Sequence, residues 1–413
     1  MGMEHLQLPQ TVRLPLPGAA PFGRGACERL AARYHAHQPE VGDAAGRYSP
    51  EQFLRLFLTA HGMTPVGTWQ THTYAQVTDS ETGRDHFFLI PIPFELRRDR
   101  LGAQAPEPPA RPAIRFEDGR LWVDEFRTRI RPQSIPYTTP FWYFHYDPNR
   151  EDVPFRSMTL NLKPSCPEKC VMCAGAKTGR VNNGMEGALE ADQVLGKIMA
   201  KHPGAKAQLD SVAVVTGCFE SFDALSVHLR DVRDAALRHA SPKTFRVLEH
   251  NVATDEQLDV VVGELGYDVF ITLECYDAEL RRLALNGRVG RKGRDTAEFL
   301  EMMRNYARYL DARPGLGRSV VHVTYLIGID PLPVAETLFR EMAAINRGLK
   351  NVTVLPWLSV FTPYETSMRL IQHPDFSLKF LIEAQDLCRS YFPAELLAAE
   401  SGGTADGYAR GLF

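Results

Sequence analysis

The chain has 413 residues, of which 47 are lysine or arginine and 50 are aspartate or glutamate, so its formal net charge is −3. Hydrophobic residues make up 44% of the chain and charged residues 23%, a composition that excludes a chain disordered throughout. The near-neutral charge argues against a dedicated nucleic-acid-binding protein, because such proteins carry a strongly basic surface.

The sequence shows no sign of export or of membrane insertion. No apolar run approaches the roughly 18 residues needed to cross a bilayer, and the N-terminus lacks the pattern of a signal peptide. The seven cysteines are an odd number, which argues against a secreted disulfide scaffold. We therefore expect a cytoplasmic protein with neither membrane nor nucleic acid among its partners.

Residues 1–155 differ in character from the rest of the chain. They are rich in proline and contain short strand-like runs, as in residues 86–93 and 113–126. Residues 50–61 have a helical pattern, with Ser49 before them as a favourable N-cap. We predict a small α+β extension here. We expect the aromatic run at residues 141–146 to pack it against the domain that follows, with contact to the substrate as the alternative.

From residue 156 onward, strand-like runs alternate with helical patterns six times. The six predicted strands cover residues 157–162, 211–215, 244–248, 269–273, 320–327 and 352–361. This alternation predicts a parallel sheet covered by helices. Six units are too few for an eight-fold barrel, so the pattern leaves a partial barrel or a doubly wound sheet, followed by a glycine-rich tail at residues 393–413. In either fold, functional groups collect at the carboxyl ends of the strands.

The strongest chemical signal is a cluster of cysteines after the first predicted strand. The segment LKPSCPEKCVMC places Cys166, Cys170 and Cys173 in the spacing C-x3-C-x2-C. Thiolates are soft ligands that bind iron–sulfur clusters or zinc. A structural zinc site would normally show a second pair of Cys or His ligands, and the sequence has none, although Cys218 or Cys275 could serve singly. The pattern favours an iron–sulfur cluster with one iron left open, and it leaves zinc as the alternative.

This motif, in a six-fold βα chain, resembles the radical S-adenosylmethionine (SAM) superfamily over about residues 156–392. The resemblance implies a partial (βα)6 TIM-like barrel in which Cys166, Cys170 and Cys173 hold a [4Fe–4S] cluster. SAM would bind the open iron and be cleaved reductively to a 5′-deoxyadenosyl radical, with an electron donor such as flavodoxin or ferredoxin. The family commonly has an aromatic residue where this chain has Met172, which is large and apolar enough to fill that place.

The resemblance also suggests residues that bind SAM. The second strand ends near Gly217 and Glu220, where the family often has a Gly-Gly-Glu type segment that binds the SAM amino group. A carboxylate suits an ammonium, although an ordinary turn with a solvated glutamate would look the same. Further on, Arg288, Arg291 and Arg294 are candidates to hold the SAM carboxylate, with a solvated basic loop as the alternative.

Other candidates stand at the ends of the later strands. Gly328 resembles the glycine that packs against adenine in the family, and Asp330 could reach a ribose hydroxyl or cap the next helix. Glu249 and Glu274 end the third and fourth strands, where a parallel barrel would direct both into one cavity. Either could bind a substrate amine or take up a proton, and a structural role is equally open. Trp357 could line the substrate pocket or belong to the core.

We therefore expect a radical SAM enzyme that modifies a small, amino-acid-like metabolite, a substrate suggested by the carboxylates and arginines at the strand ends. Two alternatives within the class are a maturase of a ribosomal peptide, whose extension would grip the peptide, and an enzyme that transfers the aminocarboxypropyl group of SAM. A non-catalytic zinc-binding protein is the alternative from another class. No second cysteine cluster follows Cys173, which disfavours an auxiliary-cluster domain.

Overall fold

The computed structural model describes the following residues: 20–61, 72–78, 85–91, 112–117, 120–128, 131–133, 142–144, 157–160, 170–171, 191–204, 209–215, 219, 221–249, 251–284, 295–361, 371–393 and 396–397. The chain divides into two compact units, Met1–Ser134 and Ile135–Phe413. The sequence predicts a boundary after residue 155, and that boundary stays a prediction. The aromatic strand at Trp142–Phe144 pairs with a strand of the second unit.

The first unit combines three helices with short strands. The helices are α1 (Arg24–Tyr34), α2 (Pro39–Arg47) and α3 (Pro50–His61). The strands are β1 (Ala20–Pro21), β2 (His72–Thr78), β3 (Asp85–Pro91), β4 (Ile114–Glu117), β5 (Arg120–Val123), β6 (Phe126–Arg127) and β7 (Arg131–Gln133). They form one sheet in the order β1-β6-β5-β4 and another in the order β3-β2-β7.

Helix α3 has the bounds that the sequence predicts. The hydrogen bonds at its N-terminus account for where it begins. The backbone N–H of Gln52 donates to Ser49 Oγ at 3.2 Å, and the Ser49 N–H donates to Gln52 Oε1 at the same distance. This reciprocal pair is a capping box, which satisfies two donors that a helix start leaves open. The helix then buries Phe53 and Phe57, one turn apart, against the rest of the unit.

The second unit is built on a seven-stranded sheet in the order β14-β13-β12-β11-β10-β9-β8. Its strands are β8 (Trp142–Phe144), β9 (Ser157–Leu160), β10 (Ser211–Val215), β11 (Thr244–Glu249), β12 (Tyr267–Glu274), β13 (Val320–Ile327) and β14 (Thr353–Val360). Strands β9 to β14 are mutually parallel and follow one another in chain order, whereas β8 is antiparallel to β9. The predicted six-stranded parallel sheet is therefore present, in a form compatible with a partial barrel.

Helices follow the parallel strands as the alternation predicts. They are α4 (Ala191–Lys201), α5 (Phe222–His239), α6 (Asp255–Leu258), α7 (Ala278–Ala284), α8 (Thr296–Asp311), α9 (Leu332–Asn346) and α10 (Leu378–Tyr391). A π-helical turn at Asp259–Glu264 continues α6. Within the described ranges, no helix combines the length and the apolar character needed to cross a membrane.

The two faces of the parallel sheet differ in character. Side chains such as Val247, Val269 and Val323 are buried on one face, where Tyr267 donates a hydrogen bond to the Leu229 carbonyl of α5 at 2.8 Å. The other face, called the polar face below, carries Arg246, Phe270, Thr272, His322, Thr324 and Trp357. Register puts these residues together, because paired residues of neighbouring strands share a face and side chains alternate along each strand.

Candidate functional site

Four of the predicted site residues lie near one edge of the parallel sheet. Glu249 ends β11, Glu274 ends β12, and Gly328 and Asp330 follow β13 directly. Because strands β9 to β14 run in the same direction, their carboxyl ends meet at this edge. Cys170 belongs to the connection between β9 and α4, so it also follows the carboxyl end of its strand.

Cys170 is buried in an apolar cluster at this edge. Its side chain is only 3% exposed, and the cluster also contains Cys275, Ile329 and Phe361. The neighbouring Val171 N–H donates to the Ala284 carbonyl, at the end of α7, over 2.7 Å. The cysteine segment is thereby tied to the helix that follows β12.

These surroundings fit an iron–sulfur cluster as far as the described residues extend. Clusters are held by cysteine thiolates, and their properties depend on shielding from water, which buried apolar neighbours provide. Cys166 and Cys173 lie outside the described residues. Among the residues that are described, no group of three or more metal-ligating side chains is found.

Asp330 joins the end of β13 to the segment after β12. Its Oδ2 accepts hydrogen bonds from the Tyr276 N–H at 2.5 Å and from the Tyr325 hydroxyl at 2.6 Å, while Oδ1 accepts one from the Asp277 N–H at 3.1 Å. Burial raises the pKa of Asp330, against the opposing effect of these hydrogen bonds. Both oxygens thus have a structural role, and the contact with a ribose hydroxyl stays a prediction.

We expect Tyr325→Phe to lower the free energy of unfolding by about 1.5–3 kcal/mol, because the lost hydrogen bond is made to a buried carboxylate. Tyr267→Phe is a matched control, since Tyr267 is also a buried strand tyrosine but donates to a neutral carbonyl. Its cost should be about 1 kcal/mol. Urea unfolding of the full chain measures both values, and a Tyr325 loss no larger than the Tyr267 loss would contradict this account.

Glu274 has an unusual backbone conformation. Its φ is 69°, in the left-handed region, and the pairing of β12 with β13 shifts register between Thr272 and Glu274. A non-glycine residue held in this region costs about 1–2 kcal/mol, so the surrounding structure must hold it there. Two of the three hydrogen bonds that Asp330 accepts lie next to this point, from the N–H groups of Tyr276 and Asp277 on the following segment.

Glu249 lies at the same edge but on the apolar side of the sheet. It pairs with Ile271, its side chain is 2% exposed, and its Oε1 accepts a hydrogen bond from the Asn251 N–H at 3.1 Å. This arrangement accounts for a structural role at the end of β11. The catalytic roles of Glu249 and Glu274 both stay predictions.

Gly328 is packed against a flat ring supplied by the protein itself. A Cβ at this position would lie 2.7 Å from Cδ2 of Phe376, and the φ of Gly328 is 102°. The Gly328 carbonyl also accepts a hydrogen bond from the His373 N–H at 2.8 Å. The prediction from sequence was that adenine packs here. That contact remains a prediction, and the ring described at this glycine is that of Phe376.

Several predicted positions lie outside the described residues. They are Cys166, Met172, Cys173, Gly217, Cys218, Glu220, Arg288, Arg291 and Arg294, together with residues 398–413 of the tail. Conversely, the sequence did not single out Tyr325, Phe376, Arg246 or His322. The last two could have been found, because each interrupts an apolar strand at alternate spacing with other polar residues.

Comparison with known proteins adds little to this description. No protein-family model matches the sequence, and no curated protein matches it. Among solved structures, the chain is similar to the X-ray structure of the FeFe-hydrogenase maturase HydG from Carboxydothermus hydrogenoformans, with 15% sequence identity and a TM-score of 0.41. The match covers 59% of this chain and 55% of the maturase, so the chain spans about half of that protein's length. A similarity at this level carries no argument about activity. The structure itself shows a mixed α/β chain with a six-stranded parallel sheet.

Proposed function

We propose that the chain is a radical SAM enzyme in which Cys166, Cys170 and Cys173 hold a [4Fe–4S] cluster. The observation that carries the proposal is the C-x3-C-x2-C spacing in the connection after the first parallel strand, with Cys170 buried beside the strand ends. When bound, the cluster supplies the electron that cleaves SAM. The resemblance assigns Gly217 and Glu220 to the SAM amino group, and assigns the SAM carboxylate to one of the arginines at positions 288, 291 and 294.

In this proposal the protein itself positions the residues of the site and excludes water from it. Ile329 and Phe361 pack with Cys170 and exclude water from the thiol. Asp330 fixes the segment that follows Glu274, which keeps that carboxylate at the edge where the strands end. Exclusion of water matters because a reactive intermediate formed there would otherwise be lost to side reactions.

The substrate proposed is a small, amino-acid-like molecule bound on the same sheet, with Glu249 or Glu274 as the group that binds its amine or takes up a proton. A peptide substrate held by the first unit and aminocarboxypropyl transfer are the competing outcomes. The electron would come from a donor such as flavodoxin or ferredoxin.

The experiment is to reconstitute the full chain anaerobically with iron and sulfide, count its metals, and then add SAM and dithionite. About four irons per chain and formation of 5′-deoxyadenosine are the expected result. Methylthioadenosine in its place would redirect the proposal to aminocarboxypropyl transfer. Stoichiometric zinc without cleavage of SAM would overturn the enzyme assignment.

A further inference from the structure

One arginine of the second unit is buried between helices α7 and α8. Arg281, on α7, is 4% exposed. Its Nη2 donates a hydrogen bond to Thr296 Oγ1, at the start of α8, over 2.8 Å, and its central carbon lies 5.2 Å from the centroid of the Phe299 ring. Its other terminal nitrogen, Nη1, is also buried and has no hydrogen-bond partner in the described structure. These contacts hold the guanidinium in place, but none of them neutralises its charge.

The charge of Arg281 is not paired within the part of the chain that the structure describes. None of the described carboxylates forms an ion pair with it. Its neighbour Arg282, by contrast, is exposed and pairs with Glu279 at 2.9 Å. A guanidinium keeps its positive charge in a protein, and a buried charge is costly unless an anion compensates it. The site therefore favours an anion closer than the carboxylates described.

Helix α7 brings this charge to the connection that carries the cysteine motif. Leu280 and Ala284 both pack in the apolar cluster that contains Cys170. The Ala284 carbonyl also accepts the hydrogen bond from the Val171 N–H at 2.7 Å. Arg281 lies between Leu280 and Ala284 along the helix, so its backbone is fixed next to the cysteine connection.

The charges around the other cysteine of this apolar cluster show that the guanidinium acts there. Burial raises the pKa of Cys275, and the carboxylates of Asp330 and Glu274 raise it further, whereas the Arg281 guanidinium lowers it. Arg281 thus opposes acidic groups at this edge of the sheet. Because its field crosses an apolar interior, water and salt screen it weakly.

From this arrangement we infer that Arg281 is the counter-charge of the cluster site and raises the potential at which the cluster accepts its electron. A [4Fe–4S] core with three thiolates is an anion, and reduction by one electron adds a further negative charge. A fixed positive charge nearby stabilises the reduced form more than the oxidised form. This inference rests on the proposed function, and it concerns control of the same site.

The test is a redox titration of the full chain, reconstituted anaerobically with iron and sulfide and reduced with titanium(III) citrate in the absence of SAM. Electron paramagnetic resonance measures the reduced cluster. In Arg281→Gln, the ratio of reduced to oxidised cluster at a fixed potential should fall about ten-fold. For a one-electron couple this lowers the midpoint potential by about 59 mV. Arg281→Lys keeps the charge and should keep most of the wild-type potential.

A second neutral variant covers the case in which Arg281→Gln does not fold. Arg281→Met has a similar length and leaves no buried polar group without a partner, so it fits the apolar surroundings better. It should lower the potential by the same amount as Arg281→Gln, because both variants remove the same charge.

Two controls separate the charge from the packing. Arg282→Gln removes the same charge from the next residue of α7, but from an exposed side chain that water screens. Thr296→Val removes the hydrogen bond to Arg281 and leaves the guanidinium charged. Both controls should keep the wild-type potential.

An unchanged potential in the neutral variants of Arg281, or an equal shift in Arg282→Gln, overturns the inference, even if SAM binding is lost. A chain that takes up no iron refutes the proposed function and this inference together. A chain that cleaves SAM, and whose potential does not depend on Arg281, refutes this inference alone. A chain whose cluster potential depends on Arg281, but which cleaves no SAM, refutes the enzyme assignment alone.

Discussion

Replacing Cys170 by alanine should abolish both iron binding at the four-iron level and formation of 5′-deoxyadenosine, while the chain stays folded. The variant removes one of three thiolates, and a cluster of this type depends on each of them. Loss of one buried sulfur from an apolar cluster costs on the order of 1 kcal/mol, which is small beside the 5–15 kcal/mol of a typical folded protein. Iron analysis of the variant measures the loss of the cluster, product analysis measures the loss of 5′-deoxyadenosine, and circular dichroism shows whether the chain stays folded.

Cys275→Ala separates the loss of a ligand from the loss of packing. Cys275 is 0% exposed and belongs to the same apolar cluster as Cys170, but it lies outside the three-cysteine motif. This variant loses the same atoms from the same cluster and should keep its iron. Loss of iron in Cys275→Ala, or full iron in Cys170→Ala, would show that the motif has been assigned wrongly.

Replacing Gly328 by alanine should lower the free energy of unfolding by about 3 kcal/mol or more. Two costs add up at this position. A φ of 102° is strained for any residue with a Cβ, at about 1–3 kcal/mol. The new methyl group would also stand 2.7 and 2.9 Å from two atoms of the Phe376 ring, and forcing such a contact costs about 1–3 kcal/mol more. Urea unfolding of the full chain gives the value.

Two other glycines separate these costs. Gly266 has a φ of 73° with open space around it, so Gly266→Ala carries backbone strain alone and should cost about 1–2 kcal/mol. Gly315 has open space and no positive φ, so Gly315→Ala should be neutral or slightly stabilising. Adding Phe376→Ala to Gly328→Ala should recover the part due to the ring contact. Equal losses in Gly328→Ala and Gly266→Ala would mean that the ring yields without cost.

Much of the second unit could be predicted from sequence. Strands β10 and β13 and helix α5 have the predicted bounds, because β-branched runs and helical periodicity are local properties of the chain. The short helix α7 and the edge strand β8 were not predicted. Each is short, and β8 is defined by its pairing with β9 rather than by its own sequence.

In the candidate site, too, the local sequence predicted where residues lie but not which residues they contact. The position of Asp330 after a strand could be predicted, whereas two of its three hydrogen bonds come from Tyr276 and Asp277, more than fifty residues earlier in the chain. The contact of Phe376 with Gly328 and the grouping of Arg246 with Phe270 likewise depend on the tertiary fold. Local patterns predict which residues reach the edge of a sheet, but not which partners meet them there.

The antiparallel strand β8 decides where this chain can be shortened. It pairs with β9, the parallel strand that leads to the cysteines, and so occupies the backbone groups that β9 would otherwise present to solvent. A fragment beginning at residue 156 would expose that row of N–H and C=O groups, a template for aggregation by edge-to-edge pairing. A fragment beginning at Ile135, where the second unit begins, keeps the edge covered. We therefore expect the isolated second unit to stay soluble when Trp142–Phe144 is retained and to aggregate when it is removed.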